Sequence, residues 1–136
     1  MYEVEIWIDV ACRTGDRYET MCTLFANLDI PMRPMIGETL SFYPSKGSSL
    51  GFNLVSSIGI ARQSSVNVTV DDVGHYAVKN ENGILFKTSI RCSEILVASE
   101  EDARTVCELL ISQIGFSFDP YATNKIETIR GVSDAG

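Results

Sequence analysis

Residues 99–115 read SEEDARTVCELLISQIG, and this is the one stretch of the chain with an unambiguous helical period. Ala103, Val106, Cys107, Leu110, Ile111 and Ile114 recur at helical spacing and form a single apolar stripe. Ser99 stands where first-turn amides need an acceptor, and Asp102, three residues on, completes a short capping box. Glu100, Glu101 and Asp102 set negative charge at the positive end of the helix dipole. Gly115 can take the left-handed conformation that stops a helix, and Phe116 can fold back on the last turn. The expected helix spans 100–114. Almost everything before it alternates with the period of strands, so this helix has a sheet to lie across.

Working outward, residues 2–12 carry Val4, Ile6, Ile8 and Val10 on one face and Glu3, Glu5, Trp7 and Asp9 on the other. Residues 13–17 contain Gly15 and read as a turn. Residues 18–28 return as a second strand. Pairing Cys12 with Tyr18 sets Val10 opposite Thr20, Ile8 opposite Cys22 and Ile6 opposite Leu24, which gives one continuous core face. In that register Met21 and Phe25 fall on the acidic face, opposite Asp9 and Glu5.

Pro31 and Pro34 make residues 29–34 an extended connector. A strand follows over 39–43, then a loop over 44–49 rich in Ser, Gly and Pro. Residues 52–62 form a long strand in which Gly59 marks a bulge or bend. Val66, Val68 and Val70 alternate in the next. Asn82 and Gly83 are the strongest hairpin signal in the chain and join strands over 76–79 and 84–92. After Ser93 the apolar parity shifts to Ile95 and Val97, which predicts a break near Ser93 and Glu94. Beyond the helix, residues 116–118 suit a short edge strand. The segment from Asp119 to Ile129 fits a helix or a strand equally, and the last six residues read as frayed. The fold class expected is mainly β (α+β): a strongly bent antiparallel sheet or small β-barrel with one C-terminal amphipathic helix packed on it. Residues 1–121 read as a single domain and 122–136 as a partly ordered extension.

The 136 residues are 45% apolar and 21% charged, an ordinary composition for one globular domain. No run of about eighteen apolar residues exists to cross a membrane as a helix. Glu3 and Glu5 occupy the region where a signal peptide carries bases, so the reading is cytoplasmic. The net charge of −7 is uneven: residues 1–40 hold seven acids against three bases, 41–98 four against five, and 99–136 seven against three. That distribution argues against nucleic acid and fits a basic partner, while solubility alone would also account for it.

No chemical motif rises above this background. Cys12, Cys22, Cys92 and Cys107 form no CxxC pair, which excludes a sequence case for zinc and points to reduced, buried thiols. The lone His75 pairs on paper with Cys92, but a thiol on an apolar strand face is inert. Asp71 and Asp72 lack the spacing of a calcium loop. Lys46 precedes Gly47, Ser48 and Ser49, the reverse of a phosphate-binding loop, and no nucleophile elbow surrounds either serine. Glu3, Glu5 and Asp9 could flank a sugar as acid and base, with nothing to raise them above a solvated acidic face. No cofactor or metal is implied.

The candidate site is therefore a surface: Glu3, Glu5, Trp7, Asp9, Met21 and Phe25 on the outer face of the first hairpin. A large aromatic among acids is the composition of a patch that selects a basic protein. The competing expectation is that another layer covers Trp7. The function expected is a non-catalytic protein-binding or inhibitory module, of the kind represented by immunity proteins. A small-molecule binder or small enzyme with a cavity inside a barrel is the alternative, and a homo-oligomer subunit with edge strands paired across chains the third.

Overall fold

The computed structural model describes residues 1–45 and 51–126. Gly47, Ser48 and Ser49, and the expectations for Thr128, Ile129 and the last six residues, lie outside the described residues. The chain builds β1 (Tyr2–Thr14), β2 (Arg17–Ile30), β3 (Thr39–Phe42), β4 (Phe52–Ser56), β5 (Gly59–Gln63), β6 (Val66–Asn80), β7 (Gly83–Cys92), β8 (Ile95–Val97), α1 (Glu100–Glu108) and β9 (Ser117–Phe118). A π-helical turn, Leu109–Ile114, continues α1.

The protein is mainly β, with one C-terminal helix on a single sheet that does not close into a barrel. β1 is its centre. β2 pairs with β1 antiparallel on one side. On the other side β7 and then β8 pair with it in parallel, through Val4–Trp7 and Val10–Cys12 respectively. The sheet is thus mainly antiparallel, as the sequence suggests, with parallel pairing only at β1 among the described residues. Ser93 and Glu94 interrupt β7 from β8, the break that the change of parity predicts. That break divides the sheet: β6 and β3 extend from β7, whereas β4 and β5 extend from β8.

Register in the first hairpin differs from the sequence reading. The turn is tighter, with Thr14 opposite Arg17 and Gly15 at φ 66°, so the strands run closer to the tip. That one-residue shift would put the wrong faces together lower down. A bulge between Val10 and Ala11 corrects it, and beyond it Val10 faces Cys22, Ile8 faces Leu24 and Trp7 faces Phe25. The net slip from the expected register is two residues, which preserves both faces.

Val4, Ile6, Ile8 and Val10 are buried beneath the helix with Leu24, Phe52, Ile90, Leu109 and Leu110. α1 packs on β1, β4 and β8. Its cap is built as the sequence implies. The Ser99 side chain accepts from the Asp102 amide at 3.2 Å and donates to Asp102 Oδ2 at 2.7 Å. The other Asp102 oxygen accepts from the Asn53 amide at 2.9 Å, fastening the helix start to β4. Gly115 ends the helix at φ 108°, and buried Phe116 meets Phe42 edge-on with ring centroids 5.5 Å apart. Past β9, the Lys125 amide donates to the Met21 carbonyl and Ile126 is fully buried, so the core reaches beyond residue 121.

All four cysteines are free and buried. Cys22 and Cys107 join β2 to α1, with sulfurs 3.4 Å apart. The hydrogen bond to Cys22, and then burial, push the Cys107 thiol well above its ordinary pKa.

Candidate functional site

Period-two alternation sends every odd residue of β1 away from the helix. Glu3, Glu5, Trp7 and Asp9 therefore share an outer face with their cross-strand partners Asp29, Asn27, Phe25 and Thr23 on β2. The parallel neighbours Ser89 and Arg91 on β7, with Asp72, Gly74 and Tyr76 opposite β7 on β6, complete the face. No other layer covers it among the described residues: Glu3, Asn27, Asp29, Asp72, Gly74 and Arg91 are all exposed.

Trp7 lies at its middle, half-buried, and stacks on Phe25 with ring centroids 5.1 Å apart. Its position falls between the two sequence expectations of a free and a covered side chain. The ring is held by a hydrogen bond to an acid that is itself held from β6. Trp7 Nε1 donates to Glu5 Oε1 at 2.7 Å, and the Tyr76 hydroxyl donates to Glu5 Oε2 at 3.0 Å. Desolvation, followed by the bond to the Glu5 carboxylate, raises the Tyr76 phenol pKa. Asp9 is fixed likewise, accepting from Thr23 Oγ1 at 2.6 Å and from Arg91 Nη2 at 2.9 Å. Such a cross-strand network locks the rotamers of the aromatic pair before any partner arrives.

Beside Trp7 the surface opens into a groove of about 420 Å³ lined by Trp7, Thr23, Asp72, Gly74, Ser89, Arg91 and Asp119. A Cβ on Gly74 would meet no atom within 4 Å, so the missing side chain is part of the opening. A second depression of about 260 Å³ lies further along the same face, between Glu3, Glu5, Asn27 and Lys87. The register places the Tyr76–Glu5 bridge between the two.

No protein family, curated protein or solved structure matches this chain.

Of the six predicted residues, Glu3, Glu5, Trp7, Asp9 and Phe25 come together as expected. Met21 does not. It is the extra residue of the bulge, which turns its side chain into the core, where it is 6% exposed. The residues missed were Asp72, Gly74, Tyr76, Arg91 and Asp119. Asp72, Gly74, Tyr76 and Arg91 reach the face through parallel β1–β7 pairing, which leaves no local signal in the sequence, and Asp119 arrives from the other side, its amide bonded to the Thr23 carbonyl just past β9.

The other candidates separate. His75 pairs with Thr88 and Cys92 with Val70, so the ladder holds them apart. Burial, and then Asp71, push the Cys92 thiol up to about 12, far from a nucleophile's range. Among the described residues no cluster of His, Cys, Asp or Glu is arranged to hold a metal, and no helix is long and apolar enough to cross a membrane.

Proposed function

We propose that this protein is a non-catalytic binding module whose outer sheet face takes a basic segment of a protein partner, in the manner of an inhibitor or immunity protein. One observation carries the reading: the Trp7–Phe25 stack is pinned by Glu5 at the centre of an uncovered face. That face holds the acids Glu3, Glu5, Asp9, Asp29 and Asp72 against the bases Lys87 and Arg91. An aromatic anchor of low conformational freedom, on a face where one sign of charge is in excess, is how interfaces combine affinity with selection of the opposite charge. A lysine or arginine of the partner fits the groove with its cation over the Trp7 ring and beside Asp72 and Asp119. The four free thiols accord with a reducing compartment, and we assign the protein to the cytoplasm.

Gly74→Val is the sharpest test. The added side chain enters open space on a strand that favours β-branched residues, so the fold should keep or gain stability. It nevertheless fills the groove. Capture of the partner from the native host by wild-type protein, with loss of at least about tenfold in affinity for Gly74→Val, is the expected result. Equal capture by both, or a captured partner that is acidic where it touches this face, would contradict the proposal.

A further inference from the structure

Among the described residues the longest open sheet edge belongs to β6. β3 covers it from Val66 to Thr69, and Gly37 and Glu38 bond to Val70. From Asp71 to Asn80 that edge meets no strand among the described residues. β7 in turn runs past the start of β1, since Val4 pairs with Thr88 and residues 83–87 pair with no strand on that side among the described residues. The distal part of the β6–β7 hairpin is therefore a two-stranded arm projecting from the sheet. Two strands alone are marginal in water. This arm also exposes apolar side chains on both faces: Ile84 and Phe86 are each 71% exposed and Leu85 50%. A second apolar group lies at the arm's base. Met32, Met35 and Ile36, each at least 66% exposed, sit on the connector that Gly37 ties to Val70.

We infer that a second copy of this chain covers the arm, with the two β6 edges paired antiparallel about a two-fold axis near His75. Symmetry requires that residue i meet j and j meet i. Centring on His75 sets Val73 opposite Ala77, and the acidic base at Asp71 opposite the Lys79 near the tip, twice over. The same pairing carries each tip, with its Ile84 and Phe86, toward the partner copy's Met35 and Ile36. Four large side chains per copy, Ile84, Phe86, Met35 and Ile36, each about two-thirds or more exposed, add apolar area to the paired edge toward the roughly 800 Å² per partner that a stable interface buries. Methionines suit such a contact because they adapt to the surface they meet. β5, by contrast, presents a short edge with Arg62 and Gln63, the polar composition that discourages pairing. This inference does not depend on the outer-face reading, because it is tested with no partner present.

The experiment is sedimentation equilibrium of the full chain over a wide concentration range, for wild type, Lys79→Glu and the double variant Asp71→Lys with Lys79→Glu. Wild type should reach twice the 15.0 kDa chain mass. Lys79→Glu turns both cross-strand attractions into repulsions and should raise the dissociation constant by about tenfold. The double variant restores opposite charges and should recover the wild-type constant. Both substitutions lie on exposed strand positions, and circular dichroism confirms that each variant is folded. A monomer at every concentration would overturn the inference. So would an open-ended assembly, or a dimer indifferent to Lys79→Glu.

Discussion

At the scale of single residues, the balance of burial and charge around Trp7 sets the expectations. Trp7→Ala removes a half-buried ring, its stack on Phe25 and the bond to Glu5, and should lower unfolding free energy by about 1–3 kcal/mol in denaturant titration. Asp72→Lys, on the exposed rim, should stay within about 0.5 kcal/mol. A Trp7→Ala variant as stable as wild type would mean that the ring is not packed as described. The thiols give a pH dependence. The folded value of Cys92, about 12, lies above its ordinary 9.0, so the folded state favours the neutral thiol. Stability from this group is fully present below pH 9 and is lost as pH rises from 9 toward 12. Cys107 shifts in the same direction. Thermal midpoints should therefore fall through that window, and a Cys92→Ala variant should fall less. Reagents should label none of the four thiols in the native protein near neutral pH and all four in denaturant. Met21 shows the limit of reading residues singly. Its parity assigned it to the outer face, and only the bulge, a property of two paired strands, turned it inward.

At the scale of elements, what was legible is what local chemistry writes. The helix, its Ser99 cap and its Gly115 stop all follow from side chains within a few residues of where they act. Leu110→Ala should cost about 2–5 kcal/mol, because Leu110 is fully buried against the sheet, and exposed Ser112→Ala should be nearly neutral. Asp102→Ala should cost about 2–4 kcal/mol, since it removes the bond to Ser99 and strands the Asn53 amide. Equal losses at Leu110 and Ser112 in denaturant titrations would mean that the helix faces the other way. The π-helical turn was not legible. It widens the last turns, leaving Ile111 and Ile114 half-buried on the stripe while Leu109 is fully enclosed. The parallel partners of β1 were hidden for a different reason. Val4, Ile6, Ile8 and Val10 alternate identically whichever direction their neighbours run, and β7 is distant in sequence. The same concealment kept Asp72, Gly74 and Arg91 out of the predicted site.

At the scale of the whole molecule, two faces divide the work. The inner face carries the helix and the core; the outer face carries the pinned aromatic pair and an excess of acids. The β6–β7 arm projects beyond both, and in the dissociated single chain its amides should exchange faster than those of β1 and β2, which lie in the core sheet. Binding of a basic partner at the outer face requires that face to be open to solvent and negative in potential around Trp7. Trp7 is the only tryptophan, so its fluorescence reports that point alone. Quenching by caesium and by iodide, measured at low ionic strength on the free protein, separates access from charge. With each ion scaled to its quenching of free tryptophan, both should quench Trp7, caesium the more strongly, with the difference shrinking as salt screens the acids. A Trp7 that neither ion reaches, or one that iodide quenches as well as caesium, would contradict binding of a basic partner there.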